Sequence, residues 1–93
     1  MKNVVIAGYA RSPFTLANKG EMIKIRPDEL TGQVVRGLLE KTGVNKEDIE
    51  DVIIGCAFPE AEQGLNVARI VSFLAGLPQT AAAATVNRFC GSS

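Results

Sequence analysis

Residues 27–56, PDELTGQVVRGLLEKTGVNKEDIEDVIIGC, decide the fold class. Pro27 suits the first turn of a helix, where its missing N–H would have had no intrahelical partner. Asp28 and Glu29 follow at the positive end of the helix dipole, Lys41 falls in the last turn, and Gly43 is the stop. Leu30, Val34 and Leu38, with Val35 and Leu39, recur at the helical period and make one apolar stripe. Asn45 followed by Asp48 predicts a short capped turn. The period then changes: Val52-Ile53-Ile54 with Gly55-Cys56 is an unbroken apolar run, the pattern of a strand covered on both faces. A helix delivering such a strand places the chain in the α/β class.

Working outward, Val4-Val5-Ile6-Ala7, closed by Gly8, predicts an earlier strand of the same kind. Gly8 is followed by Tyr9-Ala10-Arg11, so no glycine-rich dinucleotide fingerprint can be drawn at that turn. Ser12 to Arg26 has no sustained period and reads as a surface loop. Toward the other end, Phe58 to Gly64 is a polar connection. Asn66 then stands as N-cap for a helix with Val67, Ile70, Val71 and Leu74 on one face, Gly76 as stop and Pro78 beyond. Ala68 and Ala75 would let that helix pack close to a neighbour. Ala81 to Val86 reads as a small-residue strand that Asn87 to Ser93 turns out of. The order is βαβαβ, one unit over residues 1–93 without internal repeats. A strand feeding such a turn is normally followed by its crossover helix, so the sequence reads as the opening of something longer.

Composition narrows the function. With 46% hydrophobic and 22% charged residues the chain has a globular profile, and at 93 residues it can build one modest core. Ten basic against ten acidic residues give no net charge and no basic footprint for nucleic acid. The uncharged stretch from Ile70 to Asn87 is broken by the Gly76-Leu77-Pro78 turn, which argues against a membrane span. The apolar run after Lys2 is too short for a signal peptide, so a cytoplasmic location is expected. Two cysteines far apart, with no histidine, fit neither a disulfide scaffold nor a metal site, and no bound cofactor is expected.

Few residues could carry chemistry. Cys90 follows a strand in the turn Phe89-Cys90-Gly91-Ser92-Ser93. A helix starting there would aim N–H groups at its sulfur and favour the thiolate, as at a strand-to-helix nucleophile turn. Free cysteines are also among the most buried residues, so on the residues alone Cys90 is either a nucleophile or a packed small hydrophobe. Cys56, at a strand end with no basic neighbour, is assigned to packing. Arg69 and Arg88 are the only charges in the last third, and each must find a carboxylate, a phosphate or a carbonyl, most simply inside the protein or at a subunit contact. Glu60 and Glu62 could form an acid pair, but their spacing is nonspecific.

Several motifs lie in register with one family. Asn66-Val67-Ala68-Arg69, Leu74-Ala75-Gly76-Leu77-Pro78 and above all Val86-Asn87-Arg88-Phe89-Cys90-Gly91-Ser92-Ser93 resemble the N-terminal portion of the thiolases, the acetyl-CoA acetyltransferases and 3-ketoacyl-CoA thiolases. Val5-Ile6-Ala7-Gly8 with Arg11-Ser12-Pro13-Phe14 is similar to their opening strand and loop, and Gly55 to Pro59 through Gln63 to Asn66 resembles the segment that follows. The likeness is collinear over essentially the whole chain.

The resemblance implies a thiolase-like fold, this chain being the βαβαβ opening of the N-terminal half of an αβαβα layered enzyme. It implies that Cys90 is the acyl-accepting nucleophile, with acyl-CoA and coenzyme A as substrates. The family's histidines and its second, acid/base cysteine lie outside these residues, so the chain alone is expected to be inactive without the remainder of the enzyme. A homo-oligomer, dimer or tetramer, is implied for the complete protein. The Glu60 to Gly64 segment looks more like the degradative members that serve fatty-acid β-oxidation. A ketosynthase-like condensing enzyme also places a cysteine at such a turn, though the Asn87-Arg88-Phe89-Cys90-Gly91-Ser92 context is less like it. A non-catalytic assembly piece with a packed Cys90 is the remaining alternative.

Overall fold

The computed structural model describes residues 2–93. Two α-helices, α1 (Pro27–Thr42) and α2 (Val67–Leu74), alternate with two strands, β1 (Asp51–Gly55) and β2 (Ala82–Val86). Short 3-10 turns at Lys46–Asp48, Ala61–Gln63 and Phe89–Gly91 join and extend them. β1 and β2 run parallel, Asp51 opposite Ala82 and Gly55 opposite Val86. Parallel neighbours need a crossover, and α2 provides it. The ladder continues past both ends: Ala82 N–H donates to Glu50 O at 2.9 Å and Cys56 N–H to Val86 O at 2.9 Å.

α1 starts and stops as its residues dictate. Pro27 opens the first turn, Gly43 closes the helix at φ +70°, and its N–H returns to Leu39 O at 3.0 Å. Just before the helix, Arg26 donates from Nε and Nη2 to the two oxygens of Asp28, each at 3.1 Å. Asp28 is buried, only 4% exposed, and Oδ1 also accepts the Glu29 N–H at 2.8 Å. The hydrogen bonds from Arg26 outweigh the desolvation and hold the Asp28 carboxyl below its ordinary value. Asn45 Oδ1 accepts the Glu47 N–H at 3.1 Å and caps the turn at Lys46–Asp48, as its sequence position predicts.

α2 ends in a Schellman motif: Gly76 at φ +76° donates to Phe73 O at 3.0 Å, and Leu77 N–H to Ser72 O at 2.9 Å. Arg36 of α1 reaches the same end, Nη1 donating to Leu74 O at 2.9 Å, which satisfies a carbonyl without an intrahelical partner and sets a cation at the negative end of the dipole. The two helices meet at Gly32, where a Cβ would lie 3.1 Å from Leu74 Cβ.

The core consists of Cys56, Val67 and Val71, with Val35 and Ile54 packed against them. Along α2 the buried residues are Val67, Ala68, Val71 and Ser72, with Ala75 just beyond. This face is rotated from the sequence-based one, for Ile70 and Leu74 sit at the rim, each 37% exposed. Size decides the rotation: Ala68 and Ser72 admit a close approach that two γ-branched or β-branched side chains would prevent.

Two expectations are corrected. Val4-Val5-Ile6-Ala7 forms no strand, and Val4 and Ile6 are 97% and 95% exposed. An apolar run becomes a strand only where a neighbour receives its N–H and C=O groups, and the sheet of the described residues is two-stranded, β1 and β2. The segment lies instead as an arm toward the end of α1, where Lys41 Nζ donates to Tyr9 O at 3.2 Å and stands 4.5 Å from the Tyr9 ring centroid. The described order is therefore αβαβ rather than βαβαβ, and the α/β class is unaffected. Second, the strands are covered on one face only: Ile54 and Thr85 turn toward α2, while Ile53, Ala84 and Val86 are exposed.

The Arg26–Asp28 pair sets a pH dependence. Because the folded carboxyl is depressed below its ordinary 3.8, the pair stabilises the fold above that value and its contribution is lost as the pH falls through the lower folded one. Urea midpoints of wild type and Asp28→Asn, compared from pH 7 downward, are expected to keep a constant gap until about pH 5 and then to converge. A gap of unchanged size at pH 2 would assign the stabilisation to packing.

Candidate functional site

The turn that leaves β2 is built by short-range bonds. Asn87 Oδ1 accepts the Phe89 N–H at 2.8 Å, Gly91 N–H donates to Arg88 O at 3.0 Å and Ser92 N–H to Phe89 O at 3.0 Å. The Ser92 hydroxyl accepts the Arg88 N–H at 2.7 Å and donates to Phe89 O at 2.8 Å. These bonds hold Phe89 at φ +49°, a left-handed conformation that costs a residue with a Cβ roughly 1–2 kcal/mol. Cys90 follows at once, second in the 3-10 turn Phe89–Gly91, and its side chain is exposed.

The turn rests on β1. A Cβ built on Gly55 would overlap the carbonyl oxygen and carbon of Ser92, so the last residue of that strand has to be glycine for the turn to lie where it does. The next residue, Cys56, is 7% exposed in the core, in agreement with its assignment to packing. The two thiols therefore stand in opposite environments near the same end of the sheet.

β2 is in turn tied to α2. Thr85 Oγ1 accepts the N–H of Ala68, the second residue of α2, at 3.1 Å and donates to Asn66 Oδ1 at 2.6 Å, while Asn66 Nδ2 donates to Ala83 O at 3.0 Å. Asn66 occupies the cap position as expected, yet its side chain makes no cap bond. Thr85 caps the helix from the strand instead. Such a cap, reaching across 17 residues, leaves no local pattern to read.

Arg69 resolves its search for an acceptor inside the chain. Nη1 donates to Ala81 O at 2.6 Å and Nη2 to Gln79 O at 3.2 Å, with the guanidinium 4.5 Å from the Phe73 ring centroid. It fixes the entry to β2. Arg88 is exposed beside Cys90, and Glu60 and Glu62 are exposed in the connection from β1 to α2, Glu62 close enough for its charge to act on Arg26. The positioning roles of Gly55, Thr85 and Ser92 are not readable from the sequence.

A turn carrying an exposed cysteine thus leaves the end of a parallel strand and lies on a glycine of the neighbouring strand. The family profile described as "Thiolase, N-terminal domain" matches residues 4–93. The chain belongs to the thiolase family. It is similar to the 3-ketoacyl-CoA thiolase of Bacillus subtilis (strain 168), 51% identical over 92 residues that cover 99% of this chain and 24% of that protein. It is similar also to the 3-ketoacyl-CoA thiolases of Aliivibrio fischeri, at 46% over 94 residues, and Psychrobacter arcticus, at 42% over 92. Those matches cover 100% and 99% of this chain and 24% of each relative. The thiolase chain thus spans about a quarter of the length of the relatives it matches. Among its described residues no helix is long and apolar enough to cross a membrane.

Two substitutions test this construction in the full-length thiolase. Gly55→Ala is expected to push the turn off β1, costing about 1–3 kcal/mol of stability and slowing alkylation of Cys90. An unchanged melting temperature and unchanged Cys90 reactivity would show that the close approach is not needed. Arg69→Ala removes two bonds to carbonyls and is expected to lower stability by about 1–3 kcal/mol. An unchanged melting temperature would show that these bonds do not hold the entry to β2.

Proposed function

We propose that the complete protein is a thiolase-type acyltransferase in which Cys90 carries the acyl group as a thioester. The exposed Cys90 on a pinned turn, within the thiolase match, is the observation that supports this reading most directly. In the thiolytic direction the Cys90 thiolate attacks the 3-keto carbonyl of a 3-ketoacyl-CoA and forms the S–C bond. The tetrahedral oxyanion takes hydrogen bonds from backbone N–H groups of the turn, that of Cys90 included. Collapse breaks the bond between C2 and C3, leaving the acyl group on sulfur and acetyl-CoA as a carbanion that a protein acid protonates. Coenzyme A thiol then attacks the S-acyl carbonyl, regenerates the Cys90 thiolate and leaves as the shortened acyl-CoA. The reverse direction condenses the acyl group on Cys90 with the carbanion of acetyl-CoA, two acetyl groups being the shortest case. Sulfur chemistry of this kind requires no resident metal or redox cofactor.

The chain contains no histidine, so the groups that take the thiol proton and supply the acid come from outside these 93 residues. A degradative role in fatty-acid β-oxidation, a cytoplasmic location and a homo-oligomeric assembly belong to the same proposal. The relatives' names support the degradative direction.

Full-length protein given a 3-ketoacyl-CoA without free coenzyme A is expected to carry one acyl group, located on the Cys90 peptide by mass spectrometry. Cys90→Ala is expected to reduce thiolysis on the order of 10⁴-fold or more. Iodoacetamide is expected to label Cys90 well ahead of Cys56, with acyl-CoA protecting it. Equal labelling of both thiols, or an acyl group on another residue, would remove Cys90 from this role.

A further inference from the structure

The Phe89 carbonyl receives two donors from one residue: Ser92 Oγ at 2.8 Å and Ser92 N–H at 3.0 Å. That carbonyl and the N–H of Cys90 belong to the same planar peptide unit, so fixing the oxygen fixes the direction of the N–H on the opposite side. The other amide of Phe89 is held as well, its N–H donating to Asn87 Oδ1 at 2.8 Å. Ser92 Oγ has a single proton, for which Phe89 O at 2.8 Å is the nearer acceptor and Asn87 Oδ1 at 3.4 Å the weaker one, and one of its lone pairs accepts the Arg88 N–H at 2.7 Å. The hydroxyl is therefore committed in both senses and sits against the peptide that bears the nucleophile.

We propose that Ser92 is a positioning residue that aims the Cys90 N–H at the oxyanion formed during acyl transfer; this rests on the assignment of Cys90 as the acyl-accepting nucleophile. Two consequences follow from the geometry. Without the hydroxyl, Phe89 O keeps only the Ser92 N–H, and the left-handed Phe89 is less firmly held, so the peptide plane can rotate. Donation to an amide oxygen also polarises the unit and makes its N–H a better donor, so the hydroxyl both orients the Cys90 N–H and strengthens it. The thiol hangs from Cβ on the Cys90 Cα, which stays in place when the plane turns about the line joining the two Cα atoms, and so depends on that rotation less.

That difference supplies the test, made on the full-length enzyme with Ser92→Ala. Acylation by a 3-ketoacyl-CoA builds an oxyanion, whereas alkylation by iodoacetamide displaces iodide at a saturated carbon and builds none. Ser92→Ala is expected to slow single-turnover acylation of Cys90 by about 10–100-fold with KM little changed, while alkylation of the same thiol stays within about 2-fold of wild type. Ser92→Thr, which keeps the hydroxyl, is expected to recover most of the acylation rate. The alkylation rate also reports that the turn is still folded. A parallel fall in both rates, no fall in either, or a Ser92→Thr variant as slow as Ser92→Ala would each overturn the proposal. Wild-type enzyme that is never acylated on Cys90 would overturn the nucleophile assignment instead, a result read before any variant is made.

Discussion

The hydroxyl of Thr85 joins the three parts on which everything else is mounted. It stands on β2, caps the second N–H of α2 and is itself held by Asn66, whose amide returns to the β2 backbone. The crossover helix is thereby fixed to the strand it delivers, and the parallel ladder to β1 follows from that placement. An N-terminal N–H left without an acceptor against the sheet would be costly, and a solvated cap is not an option there because Ala68 is fully buried. The strand that leads to Cys90 is thus fixed at its middle by Thr85 and at its entry by Arg69.

Glycine does comparable work by omission. Gly32 lets α1 lie against the end of α2, close enough for Arg36 to reach a terminal carbonyl of that helix, and Gly55 lets the Cys90 turn lie on β1. Both positions are defined by what another element occupies, the Ser92 backbone at Gly55 and Leu74 at Gly32. The turn glycines Gly43 and Gly76 act differently, through positive φ at helix ends, and that use is visible in a sequence because it is local.

This difference between local and distant causes accounts for what could be read in advance. The bounds of α1, the Asn45 turn, the end of α2 at Gly76 and the two strands are written in short-range patterns and were legible. The strand expected at Val4–Ala7 was not formed, because composition records a preference for burial and says nothing of whether a partner is present. The buried face of α2 was misjudged because hydrophobicity ranks Ile70 and Leu74 above Ala68 and Ser72, while close packing selects the smaller pair. At the candidate site, Cys90 stands out in the sequence by its turn and its likeness to a family, and the structure shows it exposed. Gly55, Thr85 and Ser92 do not stand out there, since their partners lie in other elements or depend on the exact path of the chain.

The burial of Cys56 beside an exposed Cys90 bears on oxidative chemistry. Peroxide and disulfide reagents act on accessible thiols, and a sulfenic acid is rescued when a second thiol can attack it. Cys56 is enclosed by Val67, Val71 and Ile54 and is kept from such exchange as long as the core is closed. An oxidant reaching this part of the protein would therefore be directed to Cys90 with no resolving thiol offered by the core. Reversal of oxidation at this turn then falls to a thiol other than Cys56, and coenzyme A, the substrate proposed to meet the same sulfur, is one.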